Sequence, residues 1–81
     1  MSTKPNQARI YRHVPVFLRE LREKAKLTQR QLAARIDQTQ WWVHRCETGS
    51  RRVDVAEFAV ICAGCGVDPA EAIRELSKRR P

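Results

Sequence analysis

The stretch 28–48 constrains the fold of this 81-residue chain more than any other part of its sequence. Thr28 is followed three residues later by Gln31, which is typical of a helix start because each side chain can bond the backbone N–H of the other residue. Three apolar residues then recur at helical spacing: Leu32, Ala33 and Ile36. This narrow stripe predicts a helix of about two turns.

A second helix start follows almost at once. Asp37 and Gln38 interrupt the apolar stripe, and Thr39 can cap a new helix through its side-chain oxygen. In that helix Val43 and Cys46 are three residues apart and form the buried side. The outward side then carries Gln40, Trp41, His44, Arg45 and Thr48. Two helices joined by so short a turn indicate a helix-turn-helix, whose second helix is shaped to enter the major groove of DNA.

From Leu27 to about Gly66 the sequence resembles the DNA-binding domain of the phage repressor and Cro family, also called the XRE-type helix-turn-helix family. The resemblance depends on LTQRQLAARI, on TQ at the start of the second motif helix, on VHRCETG, and on a later helix that ends in CGVD. It is fairly specific because several spacings agree at once. It implies an all-α fold, a five-helix lambda-repressor-like DNA-binding domain.

Three further helices are predicted around the motif. The first covers roughly residues 15–26 and starts at Pro15, whose fixed φ suits a first helical turn. The fourth starts at a capping box of Asp54 and Glu57, and the fifth starts at Asp68, which Pro69 follows. Their expected buried residues are Val14, Phe17, Leu18, Leu21 and Ala25 in the first, Val55, Phe58, Ile61 and Cys62 in the fourth, and Ala72, Ile73 and Leu76 in the fifth.

Glycines and charge runs suggest the boundaries of these elements. Gly49 is placed to end the second motif helix, Gly66 to end the fourth, and Gly64 to weaken the end of the fourth. We expect a basic N-terminal arm at residues 1–13, part of which docks through Ile10 and Tyr11. The helix-turn-helix domain is expected at residues 14–78, and a basic C-terminal end at 79–81.

The charge of the chain favours a polyanionic partner. Sixteen Lys and Arg against nine Asp and Glu give a formal net charge of +7, and twelve of the sixteen cations are arginines. Arginine suits bidentate contacts with phosphate or guanine, although the same charge would also serve solubility alone.

The length allows one small domain. Because no stretch has the length of a membrane span and Met1 to Asn6 lacks the apolar core of a signal peptide, we expect a cytoplasmic protein without membrane contact.

The three cysteines argue against a disulfide framework, because their number is odd and the expected compartment is reducing. Cys62 and Cys65 form a CxxC pair, which occurs in zinc and redox sites. Such a site needs further partners, and the only histidines are His13 and His44, neither in a suitable array. We therefore expect no metal site and no cofactor, with Cys62 in the core as a small hydrophobe.

The resemblance also implies roles for individual residues. Arg22 pairs with Glu47 and locks the first helix against the recognition helix, which is the second helix of the motif. Gln29 anchors the DNA backbone, where free N–H groups of a first helical turn favour a phosphate. Gln40 recognises adenine through its amide. After the recognition helix, Arg51 and Arg52 are expected to contact phosphates, although both could serve only solubility.

The outward face of the recognition helix supplies the remaining candidates. Arg45 lies beyond Gln40 on that face, with guanine O6 and N7 as its natural target. His44 can reach a base or a phosphate, so we place it among the base contacts. Thr48 is placed among the phosphate contacts.

Trp41 and Trp42 depart from the family, which usually has small or polar residues at these positions. In one interpretation Trp41 packs on thymine methyls or sugars as a base contact, while Trp42 leans on the DNA backbone or on the preceding helix. In a second, both form an exposed patch for a protein partner, because tryptophan is enriched at interface hot spots. In a third, Trp42 extends the core toward Leu32 and Ile36.

Together these features predict a sequence-specific transcriptional regulator, a repressor that binds an inverted repeat of double-stranded DNA as a homodimer, with half-sites roughly 10 bp apart. Candidates for the dimer surface are Val67, Ala70, Ile73 and Leu76, although Ile73 and Leu76 could equally belong to the core. The alternative is a protein-binding adaptor, antirepressor or antitoxin that uses Trp41 and Trp42. We do not expect an enzyme, because no carboxylate pair, nucleophile and base set, or phosphate-binding glycine loop is apparent.

Overall fold

The computed structural model describes residues 10–79. Within this range no strand is present, and the fold is all-α. The helices from Val14 onward are α1 (Val14–Lys24), α2 (Gln29–Arg35), α3 (Gln40–Thr48), α4 (Val55–Gly64) and α5 (Pro69–Ser77). None of the helices in this range has the length and apolarity that crossing a membrane requires. Most of the predicted basic arm, residues 1–9, and residues 80–81 of the basic end lie outside the described residues.

The predicted helix caps are confirmed. The Thr28 hydroxyl accepts the Gln31 N–H at 3.1 Å, and the Gln31 side chain accepts the Thr28 N–H at 2.8 Å. Thr39 caps α3 by accepting the Trp42 N–H at 3.0 Å. Asp54 and Glu57 form the second capping box, and Asp68 caps α5. These side chains satisfy N–H groups that would otherwise lack partners at a helix start.

The helix ends follow backbone conformation. Gly49 and Gly66 adopt positive φ of 85° and 75° after α3 and α4, as predicted. α1 ends at Lys24, so the predicted end at residue 26 was two residues too long. The reason is that Lys26 takes a φ of 63°, which a right-handed helix does not allow.

The core lies where α1, α2, α3 and α4 meet, with α5 packed on α4. Phe17 and Phe58 stack with their ring centroids 6.3 Å apart. Two residues expected on buried faces are exposed: Val55 is 80% and Ile73 is 45% exposed. Val55 is the first residue of α4, ahead of the turn that meets the core. On α5 the buried face carries Ala72 and Leu76, four residues apart, and Ile73 is rotated away from it.

Gly64 marks a close approach between α2 and α4. A Cβ built at this position would lie 2.6 Å from Ile36 Cγ2 and 2.8 Å from Leu32 Cδ1. The Gly64 carbonyl also accepts a hydrogen bond from Arg35 at 3.0 Å. The absent side chain therefore lets α2, the first helix of the motif, pack directly on α4, beyond the weakening of the helix end that the sequence suggested.

Candidate nucleic-acid interface

α3 is held by its buried side and exposes the other. Val43 and Cys46 lie in the core, and the helix packs against both α1 and α2. Gln40, Trp41 and Thr48 are exposed, while His44 and Arg45 are half-buried. The predicted outward face is therefore accessible in the part of the chain that the structure describes.

Arg22 and Glu47 form the ion pair that the resemblance implied. Arg22 Nε donates to Glu47 Oε2 at 2.7 Å and Nη2 donates to Oε1 at 2.9 Å. Nη1 donates to the Leu27 carbonyl at 2.8 Å. The two side chains are 11% and 4% exposed. Donating hydrogen bonds to the Glu47 carboxylate raises the pKa of Arg22, against the lowering effect of burial. This pair connects α1 to the recognition helix α3.

A chain of hydrogen bonds continues from this pair to the start of α3. Gln29 Nε2 donates to Glu47 Oε1 at 3.0 Å, and Gln40 Nε2 donates to Gln29 Oε1 at 2.7 Å. Two predicted DNA contacts, Gln29 and Gln40, are thus brought together, although they are far apart in the sequence. An open cavity of about 460 Å³ beside them is lined by Arg22, Thr28, Gln29, Arg30 and Gln40.

The middle and end of α3 carry a stacked aromatic pair and a polar end. Trp41 is 63% exposed, and its ring stacks on His44 with centroids 5.4 Å apart. Arg45 Nη2 is 3.5 Å from the Ser50 carbonyl, and Thr48 Oγ1 donates to the Arg45 carbonyl at 3.4 Å. Among residues 10–79, the half-buried Arg45 guanidinium is therefore held by one long hydrogen bond.

Trp42 and Arg51 are engaged within the protein. Trp42 packs against the core, and the Arg51 guanidinium lies 5.0 Å from its ring centroid. Arg51 also makes two hydrogen bonds to Glu57, at 2.9 Å and 2.8 Å. These bonds, with the Asp54 N–H, lower the pKa of Glu57 from 4.5 to about 2. The geometry of Trp42 matches the interpretation in which it extends the core.

Arg52 contacts Tyr11, near the start of the described residues. Its guanidinium lies 3.8 Å from the ring centroid of Tyr11. The Tyr11 hydroxyl accepts the Val53 N–H at 2.7 Å, and the Tyr11 ring packs on the core. The segment between α3 and α4 is thus held on one side by Trp42 and Glu57 and on the other by Tyr11. The partner of the exposed Arg52 guanidinium in this contact is thus an uncharged ring.

Two arginines that sequence reasoning missed lie beside this surface. Arg30 lines the cavity shared with Gln29 and Gln40. Arg19 lines another, together with His44 and Thr48, and is paired with Glu23 at 3.0 Å. The signals in the sequence were the position of Arg30 directly after Gln29 and that of Arg19 three residues before Arg22.

The cysteines lie in the core. Cys46, Cys62 and Cys65 are buried free thiols. Burial raises the pKa of all three thiols, that of Cys62 to about 11. Within residues 10–79 no three His, Cys, Asp or Glu side chains form a group that would hold a metal ion.

Comparisons with known proteins agree with this geometry. A family model described as a helix-turn-helix domain matches residues 16–75. No curated protein matches the sequence. Among solved structures, the chain is similar to an XRE-family like protein from Pseudomonas syringae pv. tomato str. DC3000, with 36% sequence identity and a TM-score of 0.83. The similarity covers 93% of this chain and 92% of the other. The chain belongs to the XRE-type helix-turn-helix family of DNA-binding transcription regulators.

Proposed function

We propose that this protein is a repressor that binds an inverted repeat of duplex DNA as a homodimer and blocks transcription by occupying the promoter. The observation that carries the proposal is the exposed face of α3, whose first residue is held through Gln29 by the buried pair of Arg22 and Glu47. A pre-organised recognition helix loses little side-chain entropy when it enters the major groove.

The proposed base contacts lie along this face. The Gln40 amide pairs with adenine, and the Arg45 guanidinium pairs with guanine O6 and N7. Trp41 and His44 form one stacked surface, which suits apolar contact with thymine methyls or sugars. Because Trp41 is largely exposed, the flat side of its ring is available for such a contact.

The proposed phosphate contacts surround these base contacts. They are Gln29, Trp42, Thr48, Arg51 and Arg52, to which we add Arg19 and Arg30. Arg52 is the strongest candidate among the arginines after α3, because its exposed guanidinium is held by an uncharged ring. Arg51 and Trp42 are the weakest candidates, because Arg51 is paired with Glu57 and the two side chains also contact each other.

The proposed dimer surface is an apolar depression between α4, α5 and the segments before α1 and α4. The exposed side chains Val55 and Ile73 lie at this depression. Its other lining residues are Tyr11, Val14, Val53, Asp54, Phe58 and Leu76. Of the four residues considered from the sequence, Leu76 is buried and Val67 half-buried, which leaves Ala70 and Ile73 exposed. A twofold axis at Ile73 would bring the same apolar surface of two copies together.

The test is selection of bound sequences from random duplex DNA at moderate salt. An inverted repeat with half-sites about 10 bp apart is the expected result. Gln40→Ala and Arg45→Ala should each lose preference at one position per half-site. Ile73→Lys should weaken dimer formation in sedimentation and cooperative binding to the full site. Recovery of no preferred sequence would contradict the proposal.

The alternative is an adaptor that binds another protein. The observation in its favour is the exposure of Trp41, an aromatic anchor of the kind found in protein interfaces. Salt separates the two functions. Binding to DNA through several phosphates weakens steeply as salt rises, whereas a complex held by Trp41 should change little.

A further inference from the structure

We propose that Glu47 is a positioning residue for base recognition, because it sets the direction in which the Gln40 amide presents its donor and its acceptor to DNA. The inference rests on the proposed function, in which Gln40 contacts a base. The buried pair of Arg22 and Glu47 then determines which base the exposed Gln40 amide prefers, and it also joins α1 to α3.

The hydrogen bonds between Glu47, Gln29 and Gln40 take their direction from Glu47. Its carboxylate, paired with the Arg22 guanidinium, offers only acceptors. Gln29 must therefore turn its NH2 group toward Glu47, and the 3.0 Å bond from Nε2 to Oε1 has this direction. Rotating the Gln29 amide by half a turn would place two acceptor oxygens against each other. The direction of the Gln29 amide thus follows from the chemistry of its partner.

Gln29 in turn sets the orientation of the exposed Gln40 amide. Because Gln29 Oε1 can only accept, Gln40 must donate to it from Nε2, as it does at 2.7 Å. Gln40 is left with its Oε1 as an acceptor and one remaining N–H as a donor. In the major groove, adenine presents an N6–H donor and an N7 acceptor, whereas guanine presents two acceptors, O6 and N7. The orientation of Gln40 therefore matches adenine and mismatches guanine.

Burial explains why the direction persists. The Glu47 and Arg22 side chains are 4% and 11% exposed, so water cannot readily replace either partner. Gln40 is exposed, and without its hydrogen bond to Gln29 its amide would rotate freely. A free amide can turn both hydrogens of its NH2 group toward guanine. Loss of the buried carboxylate should consequently weaken the discrimination between adenine and guanine.

The principal test removes the source of the direction and keeps both glutamines. In Arg22→Met/Glu47→Leu, an apolar pair replaces the buried ion pair, a change that is often neutral for stability. We expect the ratio of affinities for half-sites with adenine and with guanine at the Gln40 position to fall about tenfold. A purely structural role would lower both affinities in proportion and leave the ratio unchanged.

A second variant and a control complete the experiment. Gln29→Met removes the hydrogen bonds between Glu47 and Gln40 while leaving the ion pair intact, so it should reduce the same ratio. If circular dichroism finds the double variant unfolded, Gln29→Met becomes the test of the role of Glu47. The matched control is Arg79→Met/Glu20→Leu, which removes a partly buried ion pair between α1 and the end of the described chain. This control should keep the ratio of the wild-type protein.

The outcomes separate the inference from the proposed function. The role of Glu47 is overturned, and the proposed function stands, if Gln40→Ala loses the preference for adenine while Arg22→Met/Glu47→Leu keeps it. If the double variant is unfolded, Gln29→Met is used in its place for this comparison. If Gln40→Ala leaves the preference unchanged, both the role of Glu47 and base recognition by Gln40 are overturned. A lowered ratio in both test variants, with an unchanged ratio in the control, supports the inference.

Discussion

Gly64 is a single residue whose missing side chain decides how closely two helices approach. A Cβ there would clash with Ile36 Cγ2 at 2.6 Å and Leu32 Cδ1 at 2.8 Å. We expect Gly64→Ala to lower the free energy of unfolding by about 1–3 kcal/mol, measured by urea denaturation, because overpacking exceeds the gain in helix propensity. In an Ile36→Ala background the cost should shrink. An equal cost in both backgrounds would exclude this contact as the cause.

Glu57 gives stability a dependence on acid pH. Its pKa is lowered to about 2 by Arg51 and by the Asp54 N–H. The stabilisation is complete above the unfolded pKa, near 4.5, and is lost as the pH falls toward 2. We therefore expect the thermal midpoint to drop between about pH 5 and pH 2, and less steeply in Glu57→Gln. The exposed residue Glu71 provides the control: Glu71→Gln should retain the wild-type slope, and the same slope in Glu57→Gln would refute the assignment.

At the scale of elements, the recognition helix depends on a cap in the turn that precedes it. The Thr39 hydroxyl accepts the Trp42 N–H at 3.0 Å and begins α3. Thr39→Ala should cost about 1 kcal/mol of stability in urea unfolding, because a first-turn N–H loses its partner. Thr39→Ser keeps the hydroxyl and should cost much less. Equal losses in the two variants would assign the effect to the lost methyl group instead.

At the scale of the whole molecule, a net charge of +7 should make DNA binding strongly dependent on salt. The logarithm of the binding constant falls with the logarithm of salt concentration by about 0.9 per neutralised phosphate. Arg52→Gln should therefore reduce the slope by about one, measured by titrating a selected site at several salt concentrations. Arg74→Gln, on α5, removes the same charge and should leave the slope unchanged. Equal slopes for Arg52→Gln and wild type would remove Arg52 from the phosphate contacts.

Much of this fold was predictable because helix starts and stops are local. The capping boxes of Thr28 and Asp54 and the positive φ of Gly49 involve residues a few positions apart, so the sequence contains their causes. Which face of a helix is buried was predicted less well. Ile73 has the character of a core residue, yet its exposure depends on how α5 rotates against α4, and helical spacing alone does not specify that rotation.

The candidate site, like the fold, was predictable only in part. Its residues and the pair of Arg22 with Glu47 could be named from the sequence and the resemblance, but the other hydrogen bonds among these residues could not. By itself the sequence determined where the helices begin, where α3 and α4 end and which residues α3 can present, because those depend on neighbours within about one turn. Only the tertiary structure decided that Gln29 bonds Glu47, 18 positions away, that Gln40 bonds Gln29, 11 positions away, and that Arg51 lies over Trp42. The physical reason is that packing α1 and α2 against α3, and α4 against α2, brings these side chains within hydrogen-bonding or van der Waals distance.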